Sequence, residues 1–165
     1  MRSTDIRARK NLAQGSAVAV DFRTLVTNCH IVEGRPMVYL ATKNGLTPLR
    51  VSAARPSADT CVLSVDQDQL VPVPRVRSFE SLRVGETVMA IGSPHGFTNT
   101  LSTGIVSQLR RLDKRRLIQT TAAISGGSSG GGLFDDRGNL LGITTFSIRD
   151  AEGLNFAIAI DEYMH

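Results

Sequence analysis

Tryptophan is absent from the chain, aromatic residues make up only 5% of it, and cysteine occurs just twice. A core must therefore be built mainly from aliphatic side chains. No apolar run approaches the ~20 residues that cross a bilayer as a helix. The first ten residues, MRSTDIRARK, carry charge with no apolar stretch behind them, so no secretory signal is visible. Helical periodicity is nearly missing and strands do not alternate with helices, which argues against a doubly wound parallel sheet. No G-K-S/T follows a glycine run and no G-x-G-x-x-G register occurs, so phosphate-cradling loops are excluded. Cys29 and Cys61 lack further partners at metal-ligand spacing. Two buried thiols acting as small hydrophobes is the preferred reading, with a single disulfide as the alternative.

What remains is an ordinary globular composition, with 41% hydrophobic and 21% charged residues among 165. That suits one domain, or two small halves sharing a core. The net charge of +4 leaves a nucleic-acid partner open at this point.

Short strand candidates separated by turn residues dominate the chain. The first half offers Ser16–Val20, Thr24–Asn28, Met37–Lys43, Leu46–Ala54 and Cys61–Asp66. The second offers Glu86–Ser93, Leu101–Arg111, Arg116–Ala123, Gly131–Phe134, Leu140–Phe146 and Phe156–Ile160. Asn44-Gly45 predicts a two-residue hairpin, and the run from Asp135 to Asn139 predicts another. Gln67–Ser81, with two prolines and no clean period, reads as a connector between the halves. The expected fold is all-β, as two small antiparallel barrels or a sandwich.

The run from Ser125 to Gly132, SGGSSGGG, sits tightly between strand candidates, unlike a flexible linker. Glycines so placed mark a backbone that turns sharply or approaches a ligand. Gly127-x-Ser129-x-Gly131 matches the elbow of α/β-hydrolases, but only His165 follows the serine and the helices are missing, so that reading fails. A serine nucleophile elsewhere needs a base, an orienting carboxylate and an oxyanion hole. His30 and Asp59 precede Ser129 in the order His–Asp–Ser, one of the known chain orders of this triad. Taken singly, a core histidine and a turn aspartate are the ordinary readings of those two residues. The order Asp59–His95–Ser129 is the weaker competitor, because it belongs to an α/β sheet.

At these residues the chain resembles the HtrA/Deg-type trypsin-like serine proteases. The resemblance rests on Thr27-Asn28-Cys29-His30, Asp59-Thr60-Cys61-Val62-Leu63 and Gly127-Ser128-Ser129-Gly130-Gly131. Leu82–Glu86, Ala90–Pro94, Thr103–Ser107, Ile118–Thr120 and Phe156–Ile158 support it, so that it runs from about Gln14 to Ile160. It implies a chymotrypsin-like fold of two antiparallel six-stranded-type β-barrels with the active site at their junction. One protease domain, 1–165, would divide into a first barrel at about 1–66, a connector at 67–81 and a second barrel at 82–165.

The resemblance also implies roles. Ser129 is the expected nucleophile, His30 the base and Asp59 its orienting carboxylate; the N–H groups of Gly127 and Ser129 form the oxyanion hole. Ala123 floors the primary pocket, where no carboxylate predicts cleavage after Lys or Arg. Thr144, Thr145 and Phe146 form the substrate-pairing strand, and cleavage after small aliphatic residues is expected. The implied activity is endopeptidase action on unfolded or misfolded proteins through an acyl-enzyme, with neither cofactor nor metal. Polypeptides are the expected partners, a homotrimer the expected assembly and an extracytoplasmic or periplasmic space the expected compartment. No PDZ domain is expected within the chain.

Two departures stand out. Where relatives have Asn-Pro-Gly-Asn, this chain has Ser125-Gly126-Gly127-Ser128, which loosens the oxyanion loop. A resting, inactive loop that orders with substrate is therefore expected, and a catalytically latent binding module is the alternative function. The basic run Arg110–Arg116 has no interleaved aromatics, so a solvated hairpin tip is preferred to a nucleic-acid patch.

Overall fold

The computed structural model describes residues 14–93, 99–145 and 154–164. In the first half, β1 (Val18–Ala19), β2 (Thr24–Thr27), β3 (Val38–Thr42), β4 (Gly45–Arg55) and β5 (Thr60–Ser64) form one antiparallel sheet in the order β1-β2-β5-β4-β3. Among the described residues this is a five-stranded half-barrel sheet, consistent with a chymotrypsin-like two-barrel fold. In the second half, β6 (Thr87–Gly92), β7 (Thr100–Leu112), β8 (Arg115–Thr120), β9 (Gly132–Asp135), β10 (Leu140–Thr145) and β11 (Asn155–Ala159) close into a barrel in the order β10-β11-β8-β7-β6-β9. The all-β expectation holds, and closure removes the barrel's open edges.

The hairpins follow backbone preference with two adjustments. Between β3 and β4 the turn residues are Lys43 and Asn44, one position earlier than the Asn44-Gly45 expectation. Gly45 opens β4 with φ 122°, the positive φ that only glycine takes without strain. Between β7 and β8, Asp113 and Lys114 both adopt left-handed φ, at 49° and 64°. That is the two-residue geometry whose twist matches the flanking strands, here made without glycine.

Three apolar clusters hold the molecule. Leu25, Val32 and Leu63 pack with both cysteines inside the first sheet. Val88, Val106, Ile118, Leu133 and Leu141 fill the barrel with Phe79 and Leu82. The third joins the halves: Val18 and Val26 of the first sheet lie with Leu117, Ile143, Ile158 and Tyr163 of the second half. The connector runs along this seam. Val73 N–H donates to the Ala19 carbonyl at 2.9 Å, and Arg77 N–H to the Leu140 carbonyl at 2.9 Å. Arg77 is then anchored by Glu86 and Asp135 at 2.9 and 3.0 Å.

One expectation is corrected. Cys29 and Cys61 form a disulfide with a Cα–Cα separation of 4.9 Å, and are not two free thiols. The antiparallel register that places Thr27 opposite Cys61 brings the two together. Residue spacing alone does not reveal that register.

Candidate active site

β2 ends at Thr27 and the chain then turns through α1 (Cys29–Val32), a single helical turn. His30 sits in this turn at the surface, its side chain 39% exposed, while Cys29 and Val32 face the core. On the partner strand a 3-10 turn, Pro56–Ala58, ends at Asp59, which adopts left-handed φ 57°. Aspartate is among the few non-glycine residues that visit this region. The conformation leads straight into β5 while turning the carboxylate toward α1.

There the Asp59 carboxylate is held by both the backbone and the ring of His30. The backbone N–H donates to Oδ1 at 2.9 Å, and ring Nδ1 lies 3.1 Å from Oδ1 and 2.8 Å from Oδ2. A buried carboxylate bonded in this way fixes both the ring orientation and the nitrogen that carries the proton. Cys29 N–H also donates to the Asp59 carbonyl, at 3.3 Å.

Ser129 comes from the other half. It follows a 3-10 turn over Gly126–Ser128 and is buried, with 2% exposure. Its carbonyl accepts the Ser16 N–H at 3.0 Å, while the Ser16 carbonyl accepts the Thr27 hydroxyl at 2.7 Å. The Ser129 loop is thus tied to the end of the strand that leads into His30. Gly130 makes the closest approach: a Cβ there would lie 1.9 Å from the Ser16 carbonyl oxygen and 2.9 Å from Ile31 Cδ1. With φ 88° as well, this is a position only glycine fills. From behind, β10 clamps the loop. Gly130 N–H donates to the Thr144 carbonyl at 2.9 Å, Thr144 N–H to the Gly131 carbonyl at 2.8 Å, and the Thr144 hydroxyl to the Ser128 carbonyl at 2.8 Å.

Comparison with known proteins shows the family. The trypsin-like peptidase domain matches residues 15–143. The chain belongs to the trypsin-like peptidase family. It is 34% identical to the serine endoprotease DegS of Haemophilus influenzae over 92% of its length and 47% of that protein. It is 35% identical to the "Probable periplasmic serine endoprotease DegP-like" of Halomonas elongata, over 94% of this chain and 34% of that protein. Among solved structures, the HtrA-type protease AlgW with a decapeptide superposes with TM-score 0.78 at 32% identity, covering 90% of this chain and 48% of that one. The chain therefore spans less than half the length of these relatives.

The remaining expected residues lie as follows. Thr144 is buried and holds the Ser129 loop, and the Thr145 hydroxyl donates to Asp59 Oδ2 at 3.4 Å. Ala123 is exposed beyond β8. Gly127 lies in the 3-10 turn, where Ser128 N–H donates to the Ser125 carbonyl at 2.9 Å. Phe146 and His95 lie outside the described residues.

Several neighbours of the site escaped the sequence. Ser16 bridges the Ser129 loop and Thr27, and its hydroxyl accepts the Ser93 N–H at 2.8 Å. Nothing in its local sequence announces that role. Asn28 is fully buried beside α1, with its Nδ2 3.5 Å from the Tyr163 hydroxyl. Burial first, then the Asp59 charge, raises the Tyr163 phenol above its ordinary value, so it stays a neutral hydroxyl.

The basic run ends in ion pairs of the fold's own making. Arg111 pairs with Glu80 and lies over the Phe79 ring at 5.3 Å, and Arg110 donates to Gln119 at 2.8 Å. Arg116 pairs with Glu162 at 2.6 Å and Asp161 at 3.5 Å. The run spans the end of β7, the turn Asp113–Lys114 and the start of β8, as the hairpin-tip expectation has it. Among the described residues, no group of three or more His, Cys, Asp or Glu has the arrangement of a metal site. No helix among them is long and apolar enough to cross a membrane.

Proposed function

We propose that the chain is a serine endopeptidase that cleaves polypeptides through Ser129, His30 and Asp59. The observation that carries this reading is the His30 ring held on the Asp59 carboxylate at 2.8 Å, with the Ser129 loop packed on the strand leading into His30. Ser129 attacks the scissile carbonyl, His30 takes its proton and later passes it to the leaving amine, and Asp59 stabilises the imidazolium. The N–H groups of Gly127 and Ser129 receive the oxyanion, where one donor contributes about 3 kcal/mol to the transition state. The names of the relatives, serine endoproteases, support the activity.

The whole chain acts as one protease domain, with halves at about 1–66 and 82–165 joined by the connector 67–81. Its substrates are unfolded or misfolded proteins, cut after small aliphatic residues, because Ala123 supplies no carboxylate for a basic side chain. Thr145 and Phe146 pair with the substrate backbone as an added strand. The 3-10 turn at Gly126–Ser128 is the resting state of the oxyanion loop, and bound substrate unwinds it. By analogy with its relatives, the chain assembles as a trimer and works outside the cytoplasm. The second reading, a latent binding module of protease fold, is favoured by that same resting turn.

One assay separates the two. The wild-type chain is expected to react with a fluorophosphonate at Ser129 and to cleave casein after Val or Ala, both lost in Ser129→Ala. A wild type that labels and cleaves no better than Ser129→Ala is a latent module, and cuts falling chiefly after Arg overturn the pocket assignment.

A further inference from the structure

We propose that the Cys29–Cys61 disulfide is the positioning element of the His30–Asp59 pair, so that activity is set by whether the crosslink closed when the chain folded. The inference rests on the peptidase reading above and deepens it. Cys29 immediately precedes His30, and Cys61 lies two residues beyond Asp59. The bond therefore joins the turn that presents the imidazole to the strand that follows the carboxylate, across 32 residues of sequence.

Both partners need such support. α1 has only four residues, far short of a helix stable by itself. Its N-cap residue Asn28 makes no side-chain capping bond, and Asn28 Oδ1 has no hydrogen-bond partner among the described residues. Asp59 holds a left-handed conformation that persists only when its surroundings over-determine it. Beside the crosslink, the two segments are tied by the β2–β5 pairing that ends at Thr27 and Cys61, by the Cys29 N–H bond at 3.3 Å and by the bonds made by His30 itself. Catalysis depends steeply on such geometry: a misplacement of about 1 Å costs on the order of 100-fold.

The crosslink is also sheltered. Cys29 and Cys61 are 1% and 2% exposed, packed against Leu25, Val32 and Leu63. Exchange with solvent thiols is blocked in the folded chain, so the redox state is chosen during folding. Closing the bond takes two protons and two electrons from the two thiols. A disulfide-bearing exchange partner accepts them and leaves as two thiols. A chain folded among reducing thiols keeps Cys29 and Cys61 as a packed, uncrosslinked pair, with α1 free to drift from Asp59.

The test refolds the full wild-type chain from denaturant with either oxidised glutathione or a reducing dithiol, beside Cys29→Ala/Cys61→Ala and the better-filling Cys29→Ala/Cys61→Val. Circular dichroism gives the folded fraction, and mass spectrometry the two hydrogens lost on closure. The readouts are fluorophosphonate labelling, kcat and KM on a chromogenic peptide, and the low-field proton resonance of the His30 Nδ1–H···Asp59 bond. Expected for the reduced chain and both variants is a native fold with kcat down about tenfold or more, KM within about twofold, and the resonance broadened or lost. Unfolding and refolding with oxidised glutathione restores the wild type but neither variant. Folded, reduced chains with oxidised-state kcat and resonance overturn the proposal, as does a loss that merely tracks the folded fraction. If the oxidised chain fails to label while its resonance still follows redox state, the peptidase reading falls and the positioning role stands.

Discussion

Gly130 and Asp135 carry more of the architecture than their neighbours. At Gly130, φ 88° and a carbonyl oxygen 1.9 Å from any Cβ combine strain with overlap, and both are imposed by the approach of the Ser129 loop to Ser16. Gly130→Ala is expected to lower stability by about 2–5 kcal/mol. Gly138→Ala, at a similar φ of 80° but in open space, should lose only about 1–2 kcal/mol. Urea unfolding of the two variants checks the difference, and equal losses would locate the whole cost in φ.

At Asp135, burial works against the carboxylate. Hydrogen bonds from the Asn139 side chain and backbone, from Arg77 and from the Arg137 N–H outweigh it and hold the pKa down to about 2. Because the folded value lies below the unfolded one, the unfolded chain binds the extra proton, and stability rises with pH through this window. The contribution, about 2 kcal/mol, is complete above pH ~4 and lost as pH falls toward ~2. In Asp135→Asn, urea midpoints are expected to lose that part of the acid dependence.

Among the elements, the β7–β8 hairpin separates what its residues announce from what they conceal. The strands on either side were legible, yet the turn carries Asp113 and Lys114 in the left-handed region with no glycine to mark it. Replacing them by Asn-Gly should stabilise the chain by about 1 kcal/mol, read as a higher urea midpoint. The pairing of His30 with Asp59 is anticipated in the sequence because a base and its orienting carboxylate confine the choice of residue types. The disulfide is not, since it needs the Thr27–Cys61 register, and strand pairing is a long-range property. Ser16 is illegible for the same reason, because its partners beyond Thr27, namely Ser93 and Ser129, lie 77 and more than 100 residues away. The β3–β4 turn lies one residue before the Asn44-Gly45 expectation because the same Gly45 suits either a two-residue turn or the first position of a strand.

In the molecule as a whole, the proposed catalytic residues meet at the seam between the halves. A five-stranded sheet supplies His30 and Asp59, a closed barrel supplies Ser129, and an apolar cluster with Val26, Ile143 and Tyr163 holds the two together. Part of the basic surface is held in ion pairs such as Arg116 with Glu162. The relatives' names and the shared fold agree with a trypsin-like serine peptidase. The decisive measurement is the intact mass of the oxidised chain after fluorophosphonate treatment, with the adduct mapped by fragmentation. One adduct on Ser129, absent from Ser129→Ala and strongly slowed in His30→Ala, is the predicted result. An unlabelled wild type, or an adduct that survives Ser129→Ala, contradicts the account.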